Sequence, residues 1–167
     1  MKVKTTTMAI LYDEIMQGLT EAIDEREEAA IWNHATGMFK LRDFRTVGLT
    51  VPRQCGRTRY AVERLKANER AILLVHSKNL REALTEHTHA YTGRKLNAYE
   101  CSRIYTTWDV RRAINSYNAQ GQDLLCQAVD EVIVDDALYF FENVKRNSFY
   151  KWLADRGGDN QKIFLLS

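Results

Sequence analysis

Three short apolar runs constrain this chain more than any other feature: Ala71–Val75 (AILLV), Glu131–Asp135 (EVIVD) and Lys162–Ser167 (KIFLLS). Each is too short for a buried helix and too continuous for a strand with one wet face. Such runs belong to strands covered on both sides, the usual situation in a parallel sheet. Two more segments, Phe44–Val51 (FRTVGLTV) and Ser102–Thr107 (SRIYTT), carry the β-branched and aromatic residues of strands. Helical spacing fills the intervals. Thr58–Asn68 has Ala61, Val62 and Leu65 on one side, and Ser77 can cap a helix running through Leu80 and Leu84 towards Gly93. Asp109 can cap another that ends near Gly121, and one more runs through Val144, Phe149, Trp152 and Leu153 to Gly157 and Gly158. Strands alternating with helices in this way predict an α/β domain of three layers, with a mainly parallel sheet of about four to five strands.

Ahead of the first strand, Thr7–Glu28 repeats apolar residues at Leu11, Ile15, Leu19 and Ile23, the stripe of an amphipathic helix. The acidic stretch Asp24–Glu28 is either its solvated end or the start of a second helix carrying Ala29, Ala30, Ile31 and Trp32, with Gly37 as a stop. Residues 1–40 therefore read as a helical extension docked on its own domain, and residues 41–167 as the core. A length of 167 residues suits one compact domain, and 45% hydrophobic with 28% charged residues excludes a disordered tail or a disulfide scaffold. No stretch reaches the roughly 18–20 apolar residues of a membrane span. Asp13 and Glu14 interrupt the one N-terminal run that resembles a leader, which predicts a cytoplasmic protein. Cys55, Cys101 and Cys126 are odd in number and widely spaced, as free thiols in a reducing compartment are. The four histidines, His34, His76, His87 and His89, lack the spacing of a zinc site. Trp32, Trp108 and Trp152 are expected in the core, and Arg111 and Arg112 on a solvated helix face.

Proline is scarce. Average usage of about 5% predicts roughly 8 in a chain of this length, and the single one is Pro52. It opens the turn Pro52-Arg53-Gln54-Cys55-Gly56-Arg57-Thr58, between a predicted strand and a predicted helix. A glycine-containing turn that leads through a basic residue and a threonine into a helix is the layout of a phosphate-binding loop. Successive backbone N–H groups and the helix N-terminus converge on an anion. Gly56 permits close approach of the backbone, Arg57 offsets phosphate charge, and the Thr58 hydroxyl can ligate Mg2+. Val51 stands where the generic motif has its first glycine, and Arg57 where it has lysine. The alternative for the same residues is a plain strand-to-helix turn with surface arginines.

Val132–Asp136 (VIVDD) adds two carboxylates at the end of a buried strand. In a nucleotide-hydrolysing sheet the first such acid holds Mg2+ through water and the second polarises the attacking water. Asp135 and Asp136 stand in that order, although consecutive carboxylates can also simply cap the next helix. The run ending at Ser167 brings a third polar strand end to the edge where open parallel sheets bind ligands.

PRQCGRT closely resembles the PRQxGKT phosphate loop of the large terminase subunits that package phage DNA, a group that commonly lacks the first glycine. AILLVHSKNLREAL is similar to the second strand and helix of terminases and DExx-box helicases, VIVDDA to their VIVDEA box, and IFLLS to the start of their coupling motif. The resemblance covers about Phe44 to Ser167. It implies a small stand-alone P-loop ATPase of viral, DNA-associated type in a host cytoplasm, using ATP and Mg2+ and acting with DNA, a partner protein or a ring of its own copies. Pro52, Arg53, Gln54, Cys55, Gly56, Arg57 and Thr58 would then hold the nucleotide, Thr58 and Asp135 the metal, and Asp136 and Arg53 the catalytic roles. Two departures bear on hydrolysis. Arg57 is planar and bulkier than lysine. Asp136 replaces a glutamate and falls about 1.5 Å short of its water, a misplacement that costs about two orders of magnitude in rate. A pseudo-ATPase that binds a protein partner is the alternative, with a phosphotransferase behind it. Neither a nuclease domain nor a second helicase domain is expected.

Cys55 lies inside the loop, so its alkylation by a thiol reagent is expected to obstruct nucleotide entry. A nucleotide affinity unchanged by the modification would count against the loop assignment.

Overall fold

Charge and turn residues at the ends of the apolar runs set where the strands stop. A computed structural model describes residues 5–28, 37–51, 56–86, 95–116, 129–158 and 160–167. Its strands are β1 (Thr46–Leu49), β2 (Ala71–Val75), β3 (Ile104–Thr106), β4 (Glu131–Asp135) and β5 (Lys162–Leu166). All pair in parallel, in the order β1-β5-β4-β2-β3. Every residue of β2 and of β4 is buried, as expected of strands covered on both faces.

The helices are α1 (Thr5–Glu28), α2 (Gly37–Phe44), α3 (Arg57–Ala67), α4 (Lys78–Glu86), α5 (Ala98–Ser102), α6 (Thr107–Ser116), α7 (Ala137–Asn143) and α8 (Arg146–Gly157). Alternating side chains of the strands feed two separate cores. Leu73, Val75, Ile133, Phe164 and Leu166 meet residues of α1, α3 and α4. Ile72, Leu74, Val132, Val134, Ile163 and Leu165 meet residues of α2, α6, α7 and α8. The three layers and the parallel sheet agree with the sequence expectation.

The chain leaves β1 through α3 on one face, reaches β3 at the far edge, and returns through α6, α7 and α8 on the other face to β4 and β5. Helices therefore depart from β1 and from β4 on opposite faces of the sheet, with β5 between them.

Several local details differ from the sequence expectation. In α1 the buried residues are Tyr12, Met16 and Ile23, whereas Leu11, Ile15 and Leu19 are 44%, 38% and 38% exposed. A strict four-residue repeat drifts about 40° per step around a helix, so it cannot keep to one face, while Tyr12, Met16 and Ile23 stay within about 20° of one line. Tyr12 stacks on Tyr60 of α3 with ring centroids 5.4 Å apart, and Asp24 accepts from Lys162 Nζ at 2.9 Å. These contacts hold both halves of α1 against the core. Gly37, expected to stop a helix, is the first residue of α2, and Leu41 of α2 is fully buried, so a boundary at residue 40 falls inside a packed helix. The segment read as one helix through Val144 is two, because Val144 and Lys145 are extended between α7 and α8.

Trp152 is buried as expected, but Trp108 is 62% exposed, with the Arg112 guanidinium 5.4 Å from its ring centroid. At the start of α6 the cap is Thr106 rather than Asp109. Thr106 Oγ1 accepts from the Asp109 amide at 3.3 Å, and Asp109 Oδ2 accepts from the Thr106 amide at 2.8 Å. Ser77 does cap α4, accepting from the Leu80 amide at 3.2 Å. The helix ends expected near Gly93 and Gly121, and Trp32, lie outside the described residues.

Burial of Tyr60 pushes its hydroxyl from 10.0 up to about 12. The fold favours the neutral phenol, so this contribution to stability is complete below pH 10 and is lost as pH rises through about 12. Denaturation midpoints across that window should fall more steeply for the native chain than for Tyr60→Phe.

Candidate functional site

The carboxyl edge of the sheet collects the residues that the sequence singles out. Parallel register sets Leu49 beside Leu166 and Leu166 beside Asp135, so β1, β5 and β4 end in one row. Ser167 extends the β1–β5 ladder by backbone bonds: its amide donates to Leu49 O at 2.9 Å and its carbonyl accepts from the Val51 amide at 2.7 Å. Two residues beyond Leu49 the chain enters the turn. Pro52, Arg53, Gln54 and Cys55 lie outside the described residues, and the structure resumes at Gly56.

Gly56 is the N-cap of α3 with φ 81 and ψ 15, a left-handed conformation that a residue with a Cβ adopts at a cost. Its carbonyl accepts from the Tyr60 amide at 2.9 Å, closing the first turn. Among the described residues no side chain caps the start of α3. The helix therefore presents its first N–H groups and its partial positive charge at the carboxyl edge, beside β4.

Arg57 and Thr58, the first two residues of α3, both reach Asp135. The Thr58 hydroxyl donates to Asp135 Oδ2 at 2.7 Å, and Arg57 Nε donates to Asp135 Oδ1 at 3.1 Å. Arg57 Nη2 also pairs with Asp136 Oδ2 at 3.2 Å. Asp135 is fully buried. Burial pushes its carboxyl above the ordinary value, while the Thr58 hydroxyl and the Arg57 guanidinium pull it back down. Asp136 is the one described non-glycine residue with positive φ, at 57°, and it is the N-cap of α7 without making a side-chain cap. The helix-cap explanation for the paired carboxylates thus has no hydrogen bond behind it. Both carboxylates turn to Arg57 instead.

His76, just past β2, joins this cluster without having been a candidate. Its Nδ1 is 4.0 Å from Asp136 Oδ2, and its ring lies 5.9 Å from that of Tyr139. Thr107 Oγ1 donates to the His76 carbonyl at 3.0 Å. The available signal was positional: His76 follows a buried run at the same sheet edge as Asp135.

Arg57 and Thr58, behind Gly56, are therefore brought together with Asp135 and Asp136. Among the described residues no three His, Cys, Asp or Glu side chains group as metal ligands, and no helix is long and apolar enough to cross a membrane. No known protein-family model matches the chain, and neither a curated protein nor a solved structure is significantly similar to it.

Replacing Gly56 by alanine forces a Cβ into the left-handed region and is expected to cost about 1 kcal/mol. Urea denaturation of Gly56→Ala against the native chain reads this directly, and an unchanged midpoint would mean that the turn relaxes.

Proposed function

We propose that this chain is a small P-loop-type ATPase of the terminase and helicase kind, viral and acting with DNA in a host cytoplasm. The observation that carries this reading is the meeting of Arg57 and Thr58, behind Gly56, with Asp135 and Asp136 at the carboxyl edge of the sheet. Polyphosphate oxygens would lie against the N–H groups at the start of α3, and the resemblance gives Pro52 to Cys55 a share in binding and Arg53 the terminal phosphate. Hydrolysis would transfer the terminal phosphoryl group to water, releasing ADP, with Asp136 orienting that water and accepting its proton.

The sequence assigns Mg2+ to Thr58 and Asp135, and the geometry is a poor match for that ion. Mg2+ keeps several waters and an octahedral shell. Asp135 is fully buried, and its two oxygens are taken by Arg57 and Thr58. One observation favours the second reading, a pseudo-ATPase that serves as a protein-binding module: the pair between Arg57 and Asp136 engages the carboxylate that hydrolysis needs.

ATP binding and turnover, with Mg2+ and with or without DNA, test both readings. The native chain is expected to bind ATP and to hydrolyse it slowly. Arg57→Lys combined with Asp136→Glu frees the acid and lengthens it, and should raise turnover by about tenfold or more. A native chain that binds no nucleotide would overturn the proposal, and binding without turnover even in the double variant would favour the protein-binding module.

A further inference from the structure

We propose that Arg57 takes the place of a divalent cation at this site, so that the start of α3 binds a nucleoside polyphosphate without Mg2+. The inference rests on the reading of the turn as a nucleotide loop and goes beyond it by naming what balances the charge there.

A divalent cation in a phosphate site has two tasks: it bridges phosphate oxygens to protein carboxylates, and it offsets their mutual repulsion. Arg57 is suited to the first and meets the second only in part, because its single positive charge is shared with two carboxylates. One edge of its guanidinium, Nε and Nη2, holds Asp135 Oδ1 at 3.1 Å and Asp136 Oδ2 at 3.2 Å. The planar fork has a second edge, Nη1 and Nη2, and Nη1 has no partner among the described residues. That edge can take two phosphate oxygens while the first keeps both carboxylates, which a lysine ammonium, as a single point charge, does less well. Meanwhile the place of a metal is closed. Thr58 Oγ1 and Asp135 Oδ2 are in direct contact at 2.7 Å, and Asp135 has no exposed surface through which a hydrated ion could be held. A cation entering there would displace Arg57 from both acids and then sit beside its positive charge.

Calorimetric titration with ATP, in excess EDTA and in excess magnesium chloride, tests this on the intact chain. The native protein should bind in both, with dissociation constants agreeing within about threefold. Arg57→Lys, checked for an unchanged fold by circular dichroism, should bind about tenfold more weakly in EDTA and recover when Mg2+ is restored. Native binding that appears only with Mg2+ overturns this inference and leaves the nucleotide reading standing. Absence of native binding under both conditions overturns the nucleotide reading and the inference with it. The native comparison decides the matter even if the lysine variant fails to fold.

Discussion

A carboxylate with no exposed surface is the constraint on which this structure turns. Asp135 ends the central strand β4, and burial of its charge is tolerable only with hydrogen-bonded and cationic partners. Thr58 and Arg57 supply them, and both lie in the first turn of α3. The need to satisfy Asp135 therefore determines where α3 begins, and with it where the turn after β1 delivers its backbone. Asp136, left-handed and drawn to the same guanidinium, follows from the same demand.

The other end of β4 makes a matching arrangement. Glu131, nearly buried, accepts from Arg64 through both oxygens at 2.8 Å and from Asn68 at 3.3 Å. Nearby, Arg103 donates to three backbone carbonyls, those of Leu65, Asn68 and Ala71, at 2.7 to 2.9 Å, and so seals the passage from α3 into β2. Such charged groups add less net stability than their short distances suggest, because each loses its water. What they add is placement, and α3 is held to β4 at both ends.

Where local chemistry decided the outcome, the sequence was enough to read it. The bounds of β4 follow from an apolar run closed by Glu131 and Asp135, and the cap of α4 from Ser77. The inward face of α1 was not legible, since Tyr12 and Met16 had to be weighed against a more conspicuous aliphatic stripe that drifts around the helix. Nor was the break at Val144 and Lys145, which carries neither glycine nor proline and is made by two extended residues between α7 and α8. At the site, the residue types and their order could be read from the chain. The engagement of Arg57 with both aspartates could not, because it depends on how α3 packs against β4, a strand far from it in sequence.

The double attachment of α3 has a consequence for how this chain can vary. Arg57 and Arg64 are seven residues apart, close to two full helical turns and about 10 Å of rise, and they meet the two ends of a strand whose four steps span about 13 Å. An insertion or deletion of one residue between them would swing one arginine about 100° away from its acid.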